Sequence, residues 1–191
     1  MNYAKIQPKH TLRGLFMEFQ TLIESRRSVR KYSSHTNVTK EQIQQLVQAA
    51  LEAPSWKNTE TGRYYCVLSE DMSQKLRKEC LCYANNDVKT EHAALIVTTF
   101  VHNRAGFQTD GTPDNEIGNG WGCYDLGLQN ENLILKATDL GLSTLIMGLR
   151  DGDKIREMLL FRKVKPLFPL LLWEKLMRNQ ADRGVESWRM F

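Results

Sequence analysis

Residues 25–33 read SRRSVRKYS. Arg26, Arg27, Arg30 and Lys31 fall within six residues, interleaved with Ser25 and Ser28. A guanidinium holds phosphate through two parallel hydrogen bonds, and a hydroxyl or main-chain N–H adds a further donor. Such a cluster at a helix end can clasp one phosphate monoester. A solvated basic surface is the competing reading of the same charge run. Nucleic acid is a third, and it is disfavoured: no basic face interleaved with aromatic residues recurs elsewhere in the chain.

Two further stretches carry usable chemistry. In APSWKNTETGRYYCVLS, residues 53–69, Pro54 ends a helical pattern, and Ser55, Trp56, Asn58 and Thr59 follow before a β-rich run. Exposed main-chain amides beside an Asn side chain suit the edge of a planar heterocycle with alternating donors and acceptors. Trp56 could cover a ring or plug the core. In LSTLIMGLRDGD, residues 142–153, a buried strand delivers main-chain N–H groups at Ile146, Met147 and Gly148. A glycine there lets a ligand approach the backbone closely, although taken by itself it reads first as an ordinary strand–turn residue.

Several familiar devices are missing. The chain has no G-x-G-x-x-G, no G-K-[ST] phosphate loop and no G-x-S-x-G elbow. No carboxylate pair and no Cys/His pair stands out as a catalytic dyad, so no catalytic residue is assigned. Cys66, Cys80, Cys82 and Cys123 make one C-x-C and no C-x-x-C. His10, His35, His92 and His102 show no ligand spacing, so a bound metal is not expected. If the chain is an enzyme, a bound cofactor carries its chemistry.

The elements that must hold these stretches can be read from periodicity. Residues 15–25 place Phe16, Phe19, Leu22 and Ile23 at helical spacing, and the basic stretch follows at the helix end. Thr39 and Gln42 stand in capping-box register ahead of Ile43, Leu46, Val47 and Ala50, which share one apolar face. Residues 63–69 and 93–100 are β-rich runs of strand length. Residues 120–141 read as a buried helix with Gly141 at its C′ position, 142–148 as a strand, and 151–159 as a short helix with an acidic start. Helices and strands mix without a strict βαβ rhythm, which predicts an α+β fold with a central sheet between helices.

The 191 residues suffice for a single domain with a real core, taken here as 1–191. The net charge of +4 is too weak to argue for nucleic acid by itself. No apolar run is long enough to span a bilayer, and the first residues lack the apolar segment of a signal peptide. Free thiols in a reducing cytoplasm are the expectation, without membrane or nucleic-acid partners.

Taken in order, RRSVRKY, APSWKN, Asn85 in YANND and NGWGCYDLGLQNENLILKATDLGLSTLIMG resemble the FMN-dependent nitroreductase family over roughly residues 16–160. The most specific part is the D-x-G-x-x-x-x-N-L-x-L-x-A helix leading into the glycine-ended strand. The resemblance implies a mostly antiparallel sheet flanked by helices in an interlocked homodimer, with FMN at the dimer interface. It implies that Arg26, Ser28 and Arg30 contact the flavin phosphate by side chain and Arg27 by its backbone. Pro54, Ser55, Trp56 and Asn58 would lie beside the ring and ribityl chain. Asn85 would bond the pyrimidine edge of the ring, Ile146, Met147 and Gly148 would face the N5 region, and Trp121 would border the substrate cleft. The implied activity is electron transfer from NADH or NADPH through the flavin to a small acceptor, such as a nitroaromatic or a quinone. Hydride transfer depends on stacking geometry more than on an acid or base, which agrees with the missing dyad. The alternative is a degenerate member of the fold that binds flavin weakly or not at all.

Two features depart from that family. Glu60 stands where relatives often carry glutamine, and an acid near the flavin would disfavour its anionic reduced form unless it points to solvent. The tail, residues 160–191, lacks the expected core strand, glycine turn and basic stretch. Read across its codon boundaries with permitted wobble bases, it can spell such a strand, a glycine and a basic stretch, so a frameshift near Leu159–Leu160 is hypothesised. If the written tail is real, Leu167–Trp173 is the run able to fill the vacated strand slot, with Pro166 and Pro169 counting against it by removing ladder donors. Weakened FMN affinity and a compromised dimer are then expected.

Overall fold

The computed structural model describes residues 18–30, 38–81, 94–160 and 167–174. Five helices and four strands alternate irregularly along these segments: α1 (Phe19–Ser25), α2 (Lys40–Leu51), β1 (Gly62–Val67), α3 (Glu70–Cys80), β2 (Ala94–Phe100), α4 (Gly120–Asp139), β3 (Leu142–Ile146), α5 (Gly152–Met158) and β4 (Leu167–Glu174). The strands form one sheet in the order β1-β2-β4-β3, every neighbouring pair antiparallel. This is the α+β fold expected from the sequence.

Side chains alternate across a strand, so one strand can feed two cores. All seven residues of β2 are buried. Leu95 and Val97 join Leu76, Cys80, Leu145, Met147 and Ile155 on the face covered by α3 and α5. Ala94 and Ile96 join Ile43, Leu46, Ala50, Leu133, Ile134 and Ala137 on the face covered by α2 and α4. The sheet is therefore the middle of three layers.

Local signals set most element ends. Thr39 and Gln42 form the reciprocal capping box: the Gln42 N–H donates to Thr39 Oγ1 at 3.2 Å, and the Thr39 N–H donates to Gln42 Oε1 at 2.8 Å. α4 ends where Gly141 takes φ +73° just beyond the Leu140 cap, a left-handed geometry that glycine adopts without steric cost. Asp151 caps α5 by accepting from the N–H groups of Asp153 and Lys154.

One helix is absent from the sequence reading. α3 carries only Met72, Leu76 and Cys80 as its apolar stripe, although Ser69 caps it and Glu70 and Asp71 fill its first turn.

β4 fills the central slot between β2 and β3, so the tail as written supplies the last core strand. Pro169 pairs with Val97 and cannot exchange two hydrogen bonds with it, which makes that pair a non-hydrogen-bonded one. Its nitrogen therefore faces the β3 side, where the ladder begins only at Leu170. The missing donor falls where no acceptor is paired, so Pro169 is compatible with the slot.

Candidate functional site

The basic segment leaves α1 and runs beside the outer edge of β3. Ser28 bridges Thr144 in parallel, and the Val29 N–H donates to the Thr144 carbonyl at 3.1 Å. Arg26, Arg27, Ser28 and Arg30 are thereby brought next to the strand that leads into Ile146, Met147 and Gly148. The Arg27 guanidinium folds back to donate to the carbonyls of Glu24 and Arg26 at 2.5 and 2.7 Å, closing the C-terminal end of α1. Its side chain is thus occupied within the helix end. Among the described residues no acceptor engages the guanidinium of Arg26 or Arg30. Ser28 and Arg30 are exposed and Arg26 is half-buried.

At the strand end the three residues differ. The Met147 side chain is buried in the α3–α5 core, whereas Ile146 is 56% exposed and Gly148 is open. A Cβ built on Gly148 meets nothing within 4 Å, and its φ lies outside the left-handed region. The glycine is not demanded by the turn, and the space over it is free for an incoming group. The Gly148 carbonyl accepts from Arg150 Nη1 at 2.8 Å, so the amides here are held on a braced backbone.

The loop Pro54–Glu60 is a different construction. Trp56–Asn58 make a single turn of 3-10 helix in which Lys57 (φ 47°) and Asn58 (φ 54°) are left-handed, as is Glu60 (φ 47°). Each such residue costs about 1–2 kcal/mol unless its neighbours enforce it. They do. The Trp56 N–H donates to Asp125 Oδ2 at 2.9 Å, the Glu60 N–H to Ser55 Oγ at 3.0 Å, and Thr59 Oγ1 to the Trp56 carbonyl at 2.8 Å. The Ser55 hydroxyl is therefore engaged inside the loop. Pro54 and Asn58 are exposed, and Glu60 is exposed as well, so its carboxylate stands in water.

Trp56 is half-buried against Trp121, with ring centroids 4.1 Å apart at 35°, so it neither plugs the core nor stands alone. Trp121 meets Tyr124 edge-on at 6.0 Å. Asp125 is 2% exposed on the inner face of α4. Burial pushes its carboxyl above the usual carboxylate range, with the Trp56 N–H pulling the other way. Further along the same face, Tyr64 Oη donates to Gln129 Oε1 at 2.9 Å, and Asn132 Nδ2 reaches the Ala49 carbonyl of α2 at 3.2 Å. Asp114, Asn115 and Asp125, which anchor this loop and its tryptophans, were not among the residues singled out from sequence. The Asp125 of the D-x-G motif was the available signal.

The two groups lie at the same end of the sheet but at opposite edges. Gly62 opens β1 beside Phe100, while Ile146 closes β3 beside Leu170, near the start of β4. β2 and β4 stand between them, a span of three interstrand spacings or roughly 14 Å. Asn85 lies outside the described residues. Among the described residues no helix is long and apolar enough to cross a membrane.

The family model for the nitroreductase family matches residues 23–166. No curated protein sequence matches the chain. Solved structures with the same fold include a nitroreductase family protein from Streptococcus pneumoniae TIGR4, with a TM-score of 0.71 at 17% identity over 88% of this chain and 96% of that one. A nitroreductase-type protein from Exiguobacterium sibiricum, solved in complex with FMN, has a TM-score of 0.65 at 23% identity, covering 91% and 93%. A Clostridium acetobutylicum protein named as an NADH oxidase has a TM-score of 0.64 at 22% identity, covering 87% and 99%. The family match spans most of the chain and stops just short of β4, the strand drawn from the atypical tail, and on that match the chain belongs to the nitroreductase family.

Proposed function

We propose that the chain is an FMN-dependent oxidoreductase that takes electrons from NADH or NADPH and delivers them to a small acceptor such as a nitroaromatic or a quinone. The observation that carries this is the Ser28–Thr144 bridge. It sets two uncommitted guanidinium groups beside a strand end where Gly148 leaves space above braced amides. Those features suit the two ends of a flavin mononucleotide: Arg26, Ser28 and Arg30 for the phosphate, the amides of Ile146 to Gly148 for the redox edge of the ring. When bound, FMN supplies the electron relay between nicotinamide and acceptor. The chain's own part is to bind, orient and exclude water.

The site is proposed to be completed in a homodimer. A ring placed at the end of β3 lies three strands from the Pro54–Asn58 loop of its own chain, whereas a two-fold partner can offer its loop instead. Exposed apolar side chains support such an assembly: Phe19 is 67% exposed, Tyr124 60% and Leu149 61%. The thiols of Cys66 and Cys123 are free, in keeping with a cytoplasmic setting where nicotinamide nucleotides are supplied.

A second reading, a fold that has lost its flavin, draws on the tail, because the family model ends before β4. Absorbance of the purified chain separates the two. A flavin spectrum that bleaches with NADH or NADPH, in a particle of dimer mass by ultracentrifugation, is expected. A colourless chain that stays monomeric and takes up no added FMN overturns the enzyme reading.

A further inference from the structure

Both N–H groups of Trp56 are held by carboxylates from different parts of the chain. Its main-chain N–H donates to Asp125 of α4, and its indole Nε1 donates to Asp114 Oδ2 at 3.2 Å. Asp114 also receives Lys57 Nζ at 2.9 Å on each oxygen, so one carboxylate grips two successive residues of the 54–60 loop. Asn115, next in sequence, accepts from the indole Nε1 of Trp121 at 3.0 Å. The segment 101–119 thus orients both rings of the stacked pair, while α4 fixes the backbone beneath one of them.

We propose that Asp114 and Asp125 are positioning residues that set the plane of Trp56 against Trp121, and that the resulting aromatic wall favours planar aromatic electron acceptors over non-planar ones. This rests on the flavin reading, and on the homodimer that brings this loop to the ring held by the other chain, for its substrate consequence, though not for its geometry. An indole free to turn about its side-chain bonds presents no fixed face. One tied at its backbone and at its ring nitrogen presents a single face, and stacking gains then accrue only to a flat partner. Lys57, 60% exposed, neutralises Asp114 from the solvent side and leaves its second role, as acceptor for the indole, intact.

The test uses the full chain with two probes: menadione, a planar quinone, and ferricyanide, a compact non-planar oxidant. Asp114→Leu removes the acceptor. The ratio of kcat/KM for menadione to that for ferricyanide is expected to fall about fivefold, mostly through the menadione KM. The far-UV exciton couplet of the stacked indoles, recorded on flavin-free protein, is expected to shrink. Asp114→Asn keeps an oxygen facing the indole and is expected to restore both signals. Lys57→Met, which removes only the ion pair, is expected to keep the couplet. Asp125→Asn, which retains an acceptor for the Trp56 N–H, guards against a leucine variant that fails to fold and is likewise expected to keep the couplet. An unchanged couplet together with an unchanged acceptor ratio in Asp114→Leu overturns the proposal. A native chain that shows the couplet but takes up no FMN overturns the flavin reading and, with it, the acceptor role, while the two-carboxylate clamp stands.

Discussion

Replacing Gly122 by alanine sets two forces of known sign against each other. Gly122 lies in the first third of α4, between Trp121 and Asp125, and alanine in a helix interior is favoured over glycine by about 1 kcal/mol. Yet a Cβ at this position would sit 2.4 Å from both Cδ2 and Cε2 of Phe100 and 3.0 Å from its Cγ. Carbon atoms pack at about 3.5–4.0 Å, so the ring and helix must part by more than about 1 Å. Phe100 is 1% exposed at the end of β2 and has no free space to turn into. Overpacking of that size costs about 1–3 kcal/mol, which exceeds the propensity gain at most of its range. The expected net loss is up to about 2 kcal/mol, or up to roughly 8 °C in Tm for a chain of this size. Urea and thermal unfolding followed by circular dichroism measure it. A Phe100→Leu background should relieve the contact, so the double-mutant cycle should return a favourable coupling of about 1–2 kcal/mol. A Gly122→Ala protein as stable as the parent, with no coupling to position 100, would refute the packing of α4 on β2 described above.

Other consequences are equally direct. Arg26→Gln and Arg30→Gln each remove a charged donor worth about 1.5–3 kcal/mol, so FMN affinity should fall roughly 10- to 100-fold per substitution while riboflavin, which lacks the phosphate, binds as before. Flavin fluorescence titration reads both, and equal losses for the two ligands would move the phosphate elsewhere. Asp125 holds its proton more tightly folded than unfolded, because burial raises its carboxyl. That contribution to stability is full below the ordinary carboxylate value of about 4 and is lost as pH rises through the raised folded value. Asp125→Asn lacks this titration, so its Tm should gain on the parent as pH climbs from about 4 towards neutrality; a constant difference across that range would contradict it. Desolvation raises the thiol of Cys66, an exposed residue of β1, to about 11. At pH near 8 its alkylation by a maleimide should be slower in the folded chain than in urea.

What could be read from the sequence was whatever is encoded locally. The Thr39–Gln42 box, the Gly141 terminus and the period of α4 each depend on residues within a few positions, and each stands where the spacing puts it. α3 escaped because its stripe is three residues wide on an otherwise charged segment, leaving only the Ser69 cap as a sign. The bend at Lys57 and Asn58 could not be read at all. Asn58 tolerates a left-handed conformation but Lys57 before it does not favour one, and the pair is held by the bond from Trp56 to Asp125, 69 residues away. The closeness of the basic segment to the glycine-ended strand is a matter of the same kind, since residues 28 and 144 meet only through the edge of the sheet.

The tail decides whether that edge is hydrogen-bonded to the rest of the sheet. Among the described residues β2 and β3 share a ladder only through β4, so Leu167–Glu174 carries the main-chain pairing between the strand leading into Met147 and Gly148 and the strands beside the Pro54–Asn58 loop. The pairing parity that excuses Pro169 makes a sharp demand two residues on. Leu171 shares that parity, so its N–H faces β3 and pairs with Leu145, which is inside the ladder. Leu171→Pro should therefore delete a ladder bond and orphan the Leu145 carbonyl, at a cost of about 1–3 kcal/mol, where the natural proline at 169 costs nothing of the kind. Because the loss falls on β3, flavin retention should weaken along with stability, and amide exchange should quicken first at Leu142–Ile146. If Leu171→Pro unfolds at the parent's urea midpoint and exchanges like it, the written tail does not hold the central slot. The frameshift reading, in which another strand belongs there, would then be the better account of residues 160–191.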